Sequence, residues 1–489
     1  MKRKILRTIL LYLLFTLNIT AQSVTARVTN EENKPIPYVS IQIGTTYGVV
    51  SNEEGVFMIS PSKADADEVT FSCIGFETLV IPKADLKNNT YILKEQISVL
   101  DEVFVTNIKL SPLEILGKVI ENAPKNYSAQ DVKQTFFLRT SIENKLIRNK
   151  FQLVKSSLEK KSTLKDLNKE LDEITKKNVN LHSQHYSESY GFLYAEKNET
   201  KLSVVKAIEL KNKANDISGD QASNKLLNVV KRHLEPDATY KVKSGLFSID
   251  DSLKIDSPEK DVITDEDTAP LKTNLSYLTN SLNKFYTNKD LDFFTRDKFY
   301  KYSFDGYATY KGEMIYIIGF QPQKSAAHYY GKFYVNASDY AIVKLEYNLM
   351  DGQIEKKVNL KFLIGIETME DRTKVEAIFT KNAENKYSVN FVKRQKGTYT
   401  YIDRPLKFTK NKLDKKEETR MLKIDFLMEM DTYTTDELFI IDEKKITSGE
   451  FKNVIEKENY NIDYLSKYDS EVWKEYNVLA PVEAIKNYK

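Results

Sequence analysis

Histidine is scarce in this chain: His182, His185, His233 and His328 are its four copies. His182 and His185 stand three residues apart and would share one face of a helix. His185-Tyr186-Ser187-Glu188 has the His-x-x-Glu spacing used at zinc sites, and His328 would be a distant third ligand. Glutamate is abundant, however, so a Glu three residues after a His arises readily by chance. The chain has no His-Glu-x-x-His, no Gly-x-Ser-x-Gly and no glycine-rich phosphate loop ahead of a helix. Cys73, the single cysteine, lies in an apolar strand pattern and reads as an inert core thiol. The expectation is that there is no catalytic residue, no cofactor and no metal site.

The elements that would have to position any site begin with an export signal. Lys2, Arg3, Lys4 and Arg7 form a positive start, and residues 9–17 are an apolar run too short to span a bilayer. Ala21 offers a small residue for cleavage, so residues 1–21 read as a signal peptide and the mature chain starts near Gln22. The lone cysteine is far from that point, which excludes a lipid anchor there. It also excludes an intramolecular disulfide framework. No later apolar run is long enough for a membrane-spanning helix. The chain has 73 Lys+Arg against 70 Asp+Glu. Removing the four leader cations leaves 69 against 70, with the signs interspersed, so no nucleic-acid partner is expected.

Residues 22–98 alternate apolar and polar side chains in short runs. Val24 to Val28, Tyr38 to Ile43, Gly48 to Ser51, Val56 to Ile59, Val69 to Phe76 and Thr78 to Ile81 read as strands. Asn52-Glu53-Glu54-Gly55 is a turn whose glycine can take positive φ. Val28-Thr29, the run from Lys34 through Pro35 and Pro37 to Ile41, the stretch from Gly48 to Phe57, and Phe71-Ser72-Cys73-Ile74-Gly75-Phe76-Glu77 resemble the carboxypeptidase-regulatory-like domain. That resemblance covers about 80 residues. It implies a transthyretin-like β-sandwich of exported envelope proteins, with a structural or docking role and no peptidase residues. Residues 100–106, Leu-Asp-Glu-Val-Phe-Val-Thr, resemble the segment that in TonB-dependent receptors adds to a partner's sheet edge. Here they read as an ordinary strand or linker within 99–111, because no barrel signature follows.

The remainder reads as mixed α+β. Ser111-Pro112-Leu113-Glu114 is a helix start with a capping box, and Leu113, Leu116, Val119, Ile120 and Ala123 form its apolar face. Residues 136–142 read as a strand. Residues 147–177 are rich in Lys, Glu and Leu and read as helix, and 251–270 as an exposed acidic loop. These belong to a helix-rich region over 112–298 with some strands. Residues 299–430 form a long antiparallel sheet. This part resembles the half-barrel of lipoprotein carriers. Residues 431–489 read as a helical tail holding the only tryptophan, Trp473, which docks it on the core.

The fold class expected is therefore mixed: an N-terminal all-β sandwich, then a larger α+β region with a long antiparallel sheet. The function expected is that of a non-enzymatic cell-envelope protein, in the periplasm or at the outer membrane. The sandwich would dock, and the sheet would bind an apolar ligand or an envelope partner. Phe304, Ile315, Ile317, Phe333 and Val335 are the candidates for a binding face on a concave sheet. The alternative is that the chain's own helices fill that face. The competing function is an exported metal-dependent hydrolase.

Overall fold

The computed structural model describes residues 23–44, 47–61, 64, 66–96, 110–127, 131–157, 160–178, 182–197, 199–210, 234–235, 237–254, 265–382, 384–412 and 420–488. The leader with its cleavage point, residues 100–106, most of the 99–111 linker and His233 lie outside the described residues.

The front of the chain is a two-sheet sandwich. Its strands are β1 (Val24–Thr29), β2 (Ser40–Ile43), β3 (Tyr47–Val50), β4 (Val56–Ile59), β5 (Glu68–Ser72), β6 (Leu79–Pro82) and β7 (Thr90–Ile92). One sheet has the order β4-β1-β7 and the other β3-β2-β5-β6. Inward positions alternate as the sequence predicts, and Val28, Val39, Ile41, Phe57, Val69 and Phe71 are fully buried. Gly55 closes the β3–β4 turn at φ +72°, and a Cβ there would lie 2.4 Å from the Val28 carbonyl oxygen. Only glycine satisfies both demands.

Helix α1 (Pro112–Asn126) follows. Ser111 Oγ accepts from the Glu114 N–H at 3.3 Å, and the Glu114 carboxylate accepts from the Ser111 N–H at 2.7 Å, completing the capping box. Its buried face is Ile115, Leu116, Val119 and Ala123. Leu113, expected on that face, is 49% exposed.

The rest is dominated by one sheet. Its strands are β8 (Val132–Ser156), β9 (His182–Glu196), β10 (Glu199–Leu210), β11 (Thr239–Ser244), β12 (Phe247–Lys254), β14 (Tyr300–Tyr310), β15 (Glu313–Pro322), β16 (Tyr329–Asn336), β17 (Ile342–Leu349), β18 (Lys356–Leu360), β19 (Ile366–Lys381), β20 (Tyr387–Lys410), β21 (Met421–Lys445) and β23 (Asp463–Leu465). The short β13 (Asp265–Asp267) and β22 (Asn459–Asn461) pair apart from it. The main order is β14-β15-β16-β17-β19-β20-β21-β8-β9-β10-β23, with β11 and β12 beside β20 and β18 beside β19. Every described pairing in this sheet is antiparallel except β10 with β23.

Several expected elements differ. The sheet does not start at 299 or stop at 430. It takes β8 to β12 from the stretch expected to be helix-rich, and β21 runs on to Lys445. Residues 147–156 are strand, because Phe151 and Leu153 bury on the sheet while their neighbours reach solvent. The Lys- and Leu-rich helix is α2 (Lys161–Asn178). Helix α3 (Thr268–Asn283) begins inside the stretch expected to be a loop. The tail is not helical overall. It holds short helical turns at Ser448–Asn453, Ser470–Trp473 and Glu483–Lys486, joined by extended chain.

Alternation along β21 assigns the two faces. Leu438 and Ile440 enter the core beneath α1 and α3, whereas Phe439 and Ile441 enter the cluster that holds Tyr38, Phe391 and Trp473. Helices cover one face, and the sandwich with the C-terminal tail covers the other.

Candidate functional site

The most concentrated chemistry is a buried charged row on the sandwich-facing side of the sheet. Arg139 on β8 pairs in register with Glu188 on β9 and with Glu437 on β21, so three ionisable side chains lie abreast on three strands. Their exposures are 1%, 3% and 5%. Arg139 Nε donates to Glu188 Oε1 at 2.7 Å, and its Nη1 lies 3.7 Å from Glu437. The remaining guanidinium donors reach the tail: Nη1 to the Ala480 carbonyl at 3.1 Å and Nη2 to that of Leu479 at 2.9 Å. The Trp473 indole N–H donates to the second oxygen of Glu188 at 2.5 Å, while its ring packs edge-on against Phe137 at 5.4 Å.

The same tail residues bind the sandwich. Asn52 Nδ2 donates to the carbonyls of Ala480 and Pro481 at 3.3 and 3.2 Å. The other end of that side chain accepts from the N–H groups of Glu54 and Val56 and shapes the turn before Gly55. Tyr47 donates to Asn477 Oδ1 at 2.8 Å. Beside the tail the contact is direct. The Tyr38 ring stacks on Phe391 at 4.6 Å, and Lys393 pairs with Glu53. The tail is thus a strap between sandwich and sheet, held on the sheet by the buried Arg139 and by Lys206, which donates to the Val472 carbonyl at 2.8 Å.

Electrostatics follow from this count. Burial opposes the charge on Arg139, but Glu188 and Glu437 outweigh it and hold the guanidinium firmly protonated. Glu437 is the surplus carboxylate. Burial pushes its pKa up, and the pull of Arg139, already committed to Glu188, does not cancel that. Burial also raises the Tyr38 phenol and pushes the Cys73 thiol up to about 11, so Cys73 stays a thiol.

The histidine constellation is not assembled. His182 and His185 lie on β9, a strand, where residues three apart point to opposite faces. The same parity separates His185 from Glu188, whose two oxygens are occupied by Arg139 and Trp473. Among the described residues no group of three or more His, Cys, Asp or Glu side chains is placed to hold a metal ion.

The five candidate binding residues do not share a face. Phe333 and Val335 pair with Ile318 and Tyr316, and Phe304 pairs with Ile318, so these three lie on the helix-covered side. Ile315 and Ile317 pair with Asn336 and Tyr334 and point the other way. Ile315, Phe333 and Val335 are fully buried, and Phe304 is 38% exposed. Phe293 stacks on Phe320 at 4.3 Å, and Phe294 lies 5.8 Å from Phe333. The turns after α3 thus fill the concavity that a ligand would have needed. Two larger clefts among the described residues carry charged and amide side chains on their rims. One, of about 480 Å³, separates Ser40, Gln42 and Gly48 of the sandwich from Lys381, Asn382 and Glu443 of the sheet. Another, of about 580 Å³, lies beside α3 between Tyr277, Tyr347, Glu370 and Arg394.

From sequence, Glu188 stood out only within the His-x-x-Glu spacing and Trp473 only as the residue that docks the tail, which it does; Arg139 and Glu437 were not singled out. The available signal was an arginine directly after Phe136-Phe137-Leu138 and a glutamate directly before Leu438-Phe439-Ile440: charges inside runs that must bury.

Residues 24–105 match the family model of the CarboxypepD_reg-like domain, which accounts for the sandwich and is typical of exported envelope proteins. No curated protein and no solved structure was found to match the chain. No helix among the described residues is long and apolar enough to cross a membrane.

Proposed function

We propose that this is a non-enzymatic scaffold of the bacterial cell envelope, exported to the periplasm or the outer membrane. The sandwich is a fixed docking module on a large sheet. The observation that carries this reading is the strap. Residues 473–481 tie the front domain to the sheet through Arg139 and Asn52, and beside them the Tyr38–Phe391 stack joins the two directly. A scaffold needs a rigid relation between modules, and a buried network supplies one. The filled concave face favours an envelope protein over a free apolar ligand as the partner.

Fractionation followed by capture from native envelope tests this. The expected outcome is a processed chain, about 21 residues shorter, recovered from the envelope with a partner bound. A cytoplasmic chain that begins at Met1 would overturn it. The hydrolase reading is separated by metal analysis. Stoichiometric zinc that is lost in His185→Ala would establish the competitor, whereas we expect no zinc and an unchanged fold in that variant.

A further inference from the structure

Two turns at the distal part of the sheet expose large apolar side chains together. At the β11–β12 turn and the start of β12, Leu246 is 96% exposed, Phe247 55% and Ile249 61%. In the helical turn Lys361–Ile364, Phe362 is 100% exposed and Leu363 76%. Single exposed apolar residues are ordinary, but five on two adjacent tips are not.

The tips are held rigidly. Consecutive residues of β20 pin both. The Asp403 N–H donates to the Gly365 carbonyl at 2.7 Å, and Arg404 donates to the Ser244 hydroxyl and carbonyl at 2.6 and 2.5 Å. Gly365 has φ +68°, and a Cβ there would lie 1.9 Å from the Asp403 carbonyl oxygen, so the approach of the second tip to β20 depends on glycine. The Arg404 guanidinium lies 5.2 Å from the centre of the Phe247 ring, and Lys361 Nζ sits 3.8 Å over Tyr401. A shallow cleft of about 360 Å³ runs between the tips. The sequence around them is basic. Segments 241–254, 354–365 and 403–410 carry nine Lys and Arg against four Asp and Glu, a surplus of five in a chain whose total is +3. Glu367, paired with Lys357 and Lys361, and Glu235, paired with Lys410, neutralise part of this, and Lys241 pairs with Asp251 within the count. Arg404 stands thirteen residues along β20 from Phe391, on which the sandwich stacks. At roughly 3.3 Å per residue that is about 40 Å.

We infer that these tips dock the protein on an anionic lipid surface. Phe362, Leu363, Leu246 and Phe247 enter the headgroup–acyl boundary, and the surrounding lysines meet the anionic headgroups. Prongs that project on separate turns suit a fluid interface that closes around each. A stable protein interface instead buries a continuous complementary patch. The basic surplus fits anionic headgroups and disfavours a second copy of the same tip. In this geometry the sandwich stands clear of the bilayer, free for a partner. The inference depends on the envelope reading only for access to a membrane, and vesicle binding in solution is read independently of it.

The test is sedimentation of the full-length protein with vesicles of phosphatidylcholine alone or with about one third phosphatidylglycerol, which gives the vesicle a negative surface potential. We expect binding to the anionic vesicles that weakens with salt. Each tip variant, Phe362→Ser/Leu363→Ser or Leu246→Ser/Phe247→Ser, should weaken it by about tenfold or more. Lys356→Glu/Lys361→Glu should reduce both the affinity and its salt dependence. All these positions are exposed, so unchanged circular dichroism and melting are expected. As a second readout, Phe362→Trp should shift its emission to shorter wavelength on anionic vesicles, over the constant background of buried Trp473. Absence of vesicle binding, or binding that ignores both tip variants, would overturn the inference. So would vesicle-independent capture of an envelope protein that the same variants abolish.

Discussion

The Trp473 indole N–H meets the Glu188 carboxylate at 2.5 Å, 285 residues away in the chain. Glu188 thereby accepts from the tail's tryptophan and from Arg139 at once. This makes the tail part of the sheet's internal electrostatics. Without the strap, a buried carboxylate would lose one partner and a buried guanidinium would lose two carbonyl acceptors.

Removing the cation should be costly. Arg139→Ala leaves Glu188 and Glu437 buried on the strands to either side without its charge between them, for which about 3–5 kcal/mol of destabilisation is expected. Denaturant unfolding followed by Trp473 emission measures it. A midpoint unchanged from the parent protein would contradict the central role of the row.

Trp473→Phe separates packing from hydrogen bonding. The ring contact with Phe137 can persist, but one Glu188 oxygen loses its donor. A loss of about 1–3 kcal/mol is expected. Limited proteolysis should then cut the tail after residue 465 sooner than in the parent protein, because the strap frays before the sheet opens.

Glu437 makes stability depend on pH in the less usual direction. Its pKa is raised in the folded state, so the native protein binds more protons than the unfolded chain between the ordinary carboxylate range and that raised value. Its contribution is fully present below the unfolded value and is lost as pH rises through the folded one. Glu437→Gln removes this dependence. The melting temperatures of parent and variant should be nearest at low pH, and the variant should gain relative to the parent as pH rises. A relative gain on acidification would mean that Arg139 stabilises the charged form after all.

The joint between sandwich and sheet should be separable by mutation. Tyr38 and Phe391 are buried and stacked across it, and Tyr38 also holds a φ of +57°. Tyr38→Ala/Phe391→Ala removes the stack without touching the strap. Calorimetry is expected to show one transition in the parent protein and two in the variant, with the sandwich melting first because so small a domain buries little surface alone. A single transition in the double variant would mean that the strap suffices.

Gly55→Val tests the sandwich itself. Positive φ and the close approach to the Val28 carbonyl both oppose a branched side chain. A loss of about 1–3 kcal/mol is expected, confined to the first of those two transitions when measured in the Tyr38→Ala/Phe391→Ala background.

Local features of this protein were legible in the residues alone. Alternation and turn chemistry placed the sandwich strands, with Gly55 at its positive φ, and Ser111, Pro112 and Glu114 marked the start of α1. These signals act within a few residues and survive any tertiary context. The strand pattern from 299 onward was legible for the same reason, although β21 runs past the expected end at 430 to Lys445. What only the tertiary structure decided depends on register. A strand's parity tells which residues share a face, not which face is covered, nor how one strand's parity meets the next. Phe333 and Ile315 therefore fell on opposite sides despite similar surroundings in sequence. Residues 147–156 carry helix-compatible Lys and Leu, yet they became strand because β21 lies alongside to receive them. Arg139 became the anchor of the molecule because cross-strand pairing set Glu188 and Glu437 beside it and the tail returned over it. No spacing within the chain encodes a meeting of residues separated by 49, 298 and 341 positions.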